Sequence, residues 1–150
     1  MDKAEEYCNY FKSMLNKSNI KFYIYDNDSI KLISIPLLNK KNGKLITNTN
    51  NAIFLITISP IGFINFSISD LCFVRGNNKQ KGLTALYEFN ENTTDSIKCC
   101  FDSKNYLQIE YYNKFTTAEK GYDCFCSLMD KYYNEEFIGR FIDIEGINET

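Results

Sequence analysis

Residues 52–70, AIFLITISPIGFINFSISD, constrain the fold more than any other part of the chain. Two apolar runs flank Ser59-Pro60-Ile61-Gly62, where proline pre-sets φ at one corner and glycine accepts a conformation closed to side chains. They form an antiparallel hairpin, about 52–58 and 62–69. Its first strand is apolar on both sides, with Ile53 and Leu55 on one and Phe54, Ile56 and Ile58 on the other. Such a strand belongs in the middle of a sheet with cover, at least partial, on both faces. Leaving these side chains in water would forgo roughly 1.5–3 kcal/mol each.

The flanking segments extend the pattern. Ala4, Tyr7, Cys8, Phe11, Met14 and Leu15 recur at helical spacing, which predicts a helix over 3–16 with Asp2 as N-cap and its end at Ser18 and Asn19. Period two follows: Ile20, Phe22 and Ile24 alternate with Lys21, Tyr23 and Tyr25, and DNDS turns the chain into Ile30, Leu32, Ile33 and Ile35, a first hairpin. A calcium loop from Asp26 and Asp28 is excluded, because its sixth and twelfth positions hold Lys31 and Leu37 instead of Gly and Glu. Residues 39–51 are a polar excursion with a tight turn at Asn42-Gly43.

Residues 75–82, RGNNKQKG, read as a solvated loop, and Arg75, Lys79 and Lys81 are the nearest approach to a basic patch. The following stretch, GLTALYEFNENTT, reads as a short connecting helix. Gly82 releases it from the loop, Leu83, Leu86, Tyr87 and Phe89 plug it onto the sheet, and Asn90 to Thr94 end it. Ile97, Cys99 and Phe101 then alternate, as do Leu107, Ile109 and Tyr111, giving a third hairpin around residues 102–105.

Thr116-Thr117-Ala118-Glu119 has the spacing of a capping box, with Thr116 capping the Glu119 amide for about 1 kcal/mol. The inward stripe of this last helix is Ala118, Tyr122, Phe125, Cys126, Met129 and Tyr133. Phe137, Ile138, Phe141 and Ile142 continue it past a weak point near Asn134 or Gly139. The expected architecture is one α+β domain over 1–150. It has a mainly antiparallel sheet of about five to seven strands, N- and C-terminal helices on one face, and a short helix between strands.

Chemistry is constrained by what the chain lacks. It has no His and no Trp, so Ser-His and Cys-His nucleophiles and most zinc hydrolase sites are excluded. No phosphate-cradling glycine loop follows a strand, and Glu135 and Glu136, being adjacent, make no acid/base pair by themselves. The six cysteines fall inside apolar periodic segments without C-x-x-C spacing, and are expected to be reduced, buried small hydrophobes. No metal or cofactor is expected. Lys and Asn clusters carry little weight, since the composition is skewed as an A/T-rich coding sequence skews it.

A net charge of -2 with both signs interspersed offers no field for nucleic acid or an anionic membrane. The N-terminus lacks the apolar core of a signal peptide, and no run approaches the about 20 apolar residues of a bilayer span, so a cytoplasmic location is expected.

Two surfaces are candidates for partner binding. Tyr106, Glu110 and Tyr112 share one strand face and would present aromatic surface. Phe54, Ile56, Ile58, Phe66 and Ile68 either pack on the helices or, if they lie on the opposite face, form a dimer or client surface.

The order of elements, with LYEFNENTTDSIKCCFDSKNYLQIEYYN and the capped helix after it, resembles the YbjN-like family with the type III secretion chaperone-like fold. Leu86, Asn90 and Asn92 echo that family's short Leu- and Asn-containing helix. The resemblance implies a small non-enzymatic protein, often dimeric, that binds other proteins as chaperones or regulators do, and it carries over no catalytic residue. The expected function is a cytosolic interaction module, with a protein partner or a second copy meeting the sheet face or edge. The alternative is an immunity or anti-defence protein of a mobile element that inhibits one enzyme; an enzyme with an unrecognised site ranks third.

Overall fold

The computed structural model describes residues 2–93 and 96–149. Helix α1 (Lys3–Lys17) starts at Asp2, whose carboxylate accepts from the Glu5 amide at 2.9 Å, and ends at Ser18 before Asn19 takes a positive φ of 56°. Strands β1 (Tyr23–Asn27) and β2 (Ile30–Pro36) form the first hairpin. The polar excursion carries its own small hairpin, β3 (Lys40–Lys41) and β4 (Lys44–Leu45), closed by Asn42 and Gly43 at φ of 54° and 76°. Two consecutive positive φ values are what the type I′ turn requires.

Strands β5 (Ile53–Ile58) and β6 (Phe63–Ser69) are the hairpin about Pro60. Gly62 has a φ of 91°, and a Cβ there would lie 3.0 Å from the Phe115 carbonyl, so both conformation and space call for glycine. A 3-10 turn (Gly76–Asn78) and helix α2 (Lys79–Asn92) lead to β7 (Lys98–Phe101) and β8 (Leu107–Lys114). Helix α3 (Ala118–Tyr132), the single turn α4 (Glu135–Ile138) and α5 (Ile144–Glu149) complete the chain.

Six strands form one antiparallel sheet in the order β1-β2-β5-β6-β8-β7. Its two-layer, α+β architecture is the one expected, with N- and C-terminal helices and a helix between strands. Phe54, Ile56, Ile58, Phe66 and Ile68 are buried to within 2% exposure on the face that meets the helices. Phe125 of α3 lies edge-on to Phe54 at 4.9 Å and contacts Phe11 of α1, which packs on Tyr122 at 5.3 Å. Phe137 and Phe141 close the far end, the latter against Phe101.

Several local expectations are corrected. Residues 79–82 are helix instead of loop: Gly82 sits inside α2, where a Cβ would approach Val74 Cγ1 to 2.2 Å, so its smallness lets the helix close on the chain before it. Ala85 and Phe89 make the buried side of α2, while Leu83 and Tyr87 are exposed and plug nothing. Asn90 and Asn92 lie within the helix, which ends at Thr93; Thr94 lies outside the described residues. The cap of α3 is Thr117, accepting from the Lys120 amide at 3.2 Å, one residue later than Thr116. Leu128 and Tyr132 join the buried stripe of α3, and Cys126 and Met129 are only half-buried. The helix breaks at Asn134, whose side chain caps α4 at the Phe137 amide.

Candidate functional site: the open face of the sheet

Among the described residues, the second face of the sheet has no cover of the kind expected for β5. Alternate positions of every strand are half-buried or exposed among the described residues, and Ile53 retains 39% exposure. The registers place Tyr23 beside Ser34, Tyr25 beside Leu32, Ser34 beside Leu55, and Pro36 beside Ile53. Those pairs build an apolar strip over β1, β2 and β5 from Tyr23, Tyr25, Leu32, Leu55 and Ile53. Tyr23 and Tyr25 are 44% and 56% exposed, so the strip is accessible.

Towards β6 and β8 the face turns polar. Thr57 pairs with Asn65, Ser67 with Glu110, and Asn65 Nδ2 donates to Glu110 Oε1 at 3.1 Å. Phe63 and Tyr112 stack at 5.0 Å with planes 3° apart, with Lys114 Nζ 5.7 Å from the Phe63 ring, so one corner is aromatic again. The open face is thus an apolar strip and an aromatic corner divided by short polar side chains.

Of the residues expected to bind a partner, Tyr112, at 53%, and Glu110 lie exposed on this face. Phe54, Ile56, Ile58 and Phe66 are core, because their parity points them under α1 and α3; they form no dimer or client surface. Tyr106 is half-buried beside Phe73, 5.0 Å between rings, and lies before β8 begins. Six residues of extended chain, about 20 Å, separate it from Tyr112, so the two make no joint aromatic patch. The residues missed, Tyr23, Tyr25, Leu32, Ile53 and Leu55, carried a signal in their period-two spacing.

The thiols are free, and they divide by face. Cys72 and Cys99 are buried, and burial pushes both up to about 12, while burial raises Cys124 to about 11. Held protonated at neutral pH, these are poor nucleophiles and metal ligands. Three thiols depart from the expected burial: Cys124 and Cys126 are half-buried, and Cys100 is exposed on the open face, as its parity opposite Cys99 requires. Among the described residues no three His, Cys, Asp or Glu side chains are placed to hold a metal ion.

Several grooves also mark the surface. One of about 460 Å³ runs between Ile20, Ile35, Leu37, Leu38, Met129 and Tyr133. Another of about 420 Å³ is lined by charged side chains including Lys81, Glu135, Arg140 and Asp143, of which Glu135 holds Lys44 at 3.0 Å and Arg140 meets Glu88 at 3.5 Å. Arg75 lies over the Phe73 ring at 5.7 Å. No described helix is long and apolar enough to cross a membrane. Comparison of the chain with protein-family models, with curated proteins and with solved structures returned no match.

Proposed function

We propose that this protein is a small non-enzymatic interaction module of the cytosol, chaperone-like or regulatory, which docks a protein partner on the open face of its sheet. One observation carries the reading: β5, apolar on both sides, is sealed by helices on one side and left accessible on the other, where Ile53 and Leu55 adjoin Tyr23, Tyr25 and Leu32. An accessible apolar strip bordered by polar side chains is the usual anatomy of a docking surface, and tyrosines supply contact area at low entropic cost. The resemblance to YbjN-like proteins points the same way.

The test is site-specific photo-crosslinking in host cells from position 55 on the open face and from Glu5 on the outer side of α1. One discrete adduct from position 55, absent from position 5 and lost in Tyr23→Ser/Ile53→Ser, is expected. Equal adduct patterns from both positions overturn the reading.

A further inference from the structure

The sheet ends differently on its two sides. Helix α2 packs beside β7, whereas the substantial contacts of β1 are all with β2. The turn between β1 and β2 holds two residues, Asp28 and Ser29, so the pair Asn27–Ile30 is bridged by its own two N–H···O=C bonds. By alternation Tyr25 and Tyr23 also bond to β2, which leaves the N–H and C=O groups of Ile24 and Asp26 directed outward.

Exposed edges are usually blunted by lysine, proline, an inward-pointing charge, a bulge or a covering element; of these β1 carries Asp26, on the same face as Ile24. The register of β1 runs without a bulge through Tyr23, Ile24, Tyr25, Asp26 and Asn27, with no lysine or proline. Its one charge, Asp26, is engaged by Lys31 at 2.8 Å. Phe22, just before the strand, packs against the core and carries the apolar edge further.

We propose that β1 pairs antiparallel with β1 of a second copy of this chain, about a two-fold axis at Ile24, joining two six-stranded sheets into one. Opposed residues of an antiparallel pair point to the same face, and the axis at Ile24 satisfies this throughout. The outward groups of Ile24 then exchange both bonds with Ile24 of the second copy, and Asp26 does so with the second copy's Phe22. On the open face, Tyr23 meets Tyr25 of the second copy, twice by symmetry. Aromatic cross-strand pairs are among the favourable ones.

A second copy fits better than an unrelated strand because the edge is complementary to itself. Tyrosine falls on tyrosine, Lys21 on Asn27 and Asp26 on Phe22, so no like charges oppose one another. The joined sheets place both open faces on one side, which doubles the docking surface. The seam itself uses edge backbone and two tyrosines, and is independent of what docks there. A seam built on one five-residue strand is short, so a weak, reversible dimer is expected.

Sedimentation velocity of the purified full chain from about 1 to 200 μM tests this without any partner. A reversible dimer is expected, with Tyr23→Lys/Tyr25→Lys raising its dissociation constant at least about tenfold by setting lysine against lysine. Tyr23→Lys/Tyr25→Glu should restore the dimer, because each new lysine faces a new glutamate across the axis. Both positions are exposed, and circular dichroism verifies that each variant is folded. A wild-type monomer at the highest concentration, a dimer indifferent to the double lysine change, or no rescue by the mixed pair overturns the proposal.

Discussion

On one side of β5, Phe54 is fully enclosed between Phe66 and Phe125; one residue away, on the other side, Ile53 keeps 39% of its surface. The two side chains belong to the same strand and are equally apolar, so hydrophobicity alone does not assign burial. What separates them is the element opposite. Helices α1 and α3 lie over Phe54, and no described element lies over Ile53. A side chain's energetic weight therefore follows its neighbours: the covered face holds the fold together, and the open face is left free to meet something else.

The largest break of this contrast is Phe54→Ala, expected to cost about 3–5 kcal/mol in urea denaturation because the enclosed site keeps a cavity. A loss under about 1 kcal/mol would mean that the helices do not seal this face.

Next is Thr47→Val, at the boundary of the core. Thr47 is fully buried and its hydroxyl donates to the Leu71 carbonyl at 2.6 Å, so an isosteric methyl leaves that carbonyl one partner short. The expected cost is about 1–3 kcal/mol by the same measurement.

High pH should weaken the covered face selectively. Burial holds Cys72 and Cys99 up to about 12, above the ordinary thiol value of 9.0. Between those values the unfolded chain has released protons that the folded chain retains. The contribution of these two thiols to stability is therefore flat below about pH 9 and falls as pH rises towards about 12. Urea midpoints at about pH 8 and 10 should differ less in Cys72→Ala/Cys99→Ala than in the parent chain. The buried hydroxyls of Tyr7 and Tyr133, also raised by burial, add to the parent's decline at still higher pH.

The smallest change is expected on the open face. Ile53→Thr keeps a β-branched residue in the strand and should alter stability by no more than about 0.5 kcal/mol. A cost near that of Phe54→Ala would show that the open face is structural and would remove the contrast altogether.

Much of the fold was readable from particular residues. Asp2 announced α1, Asn42-Gly43 and Pro60 with Gly62 announced turns, and strict alternation announced the strand pairs. The start of α2 was not readable: Asn78 makes no side-chain cap bond, and Lys79, Gln80 and Lys81 lie exposed, so the first turn of helix looks like a solvated loop. Asn48 was discounted with the other asparagines, yet its side chain both accepts from and donates to the Phe73 backbone at 2.8 Å, fastening the polar excursion beside the sheet. Such a clamp joins residues 25 apart in the chain and leaves no local pattern to read.

The candidate site was less legible than the fold. Alternation sorted Phe54, Ile56 and Ile58 from Ile53 and Leu55, but two apolar sets on one strand are equivalent until a third dimension assigns the helices. For the same reason Tyr106 and Tyr112 looked like one patch, and the bridge from Tyr106 to Phe73 draws the first of them away. The sequence by itself determined the kinds of elements, their order and most of their ends, because helix caps, turn residues and hydrophobic period are local quantities. Only the tertiary structure decided which side of the sheet the helices seal, because that depends on how distant segments fill one shared volume. It thereby decided that Tyr23, Tyr25, Leu32, Ile53 and Leu55, and none of the phenylalanines of the core, lie on the open face of the sheet.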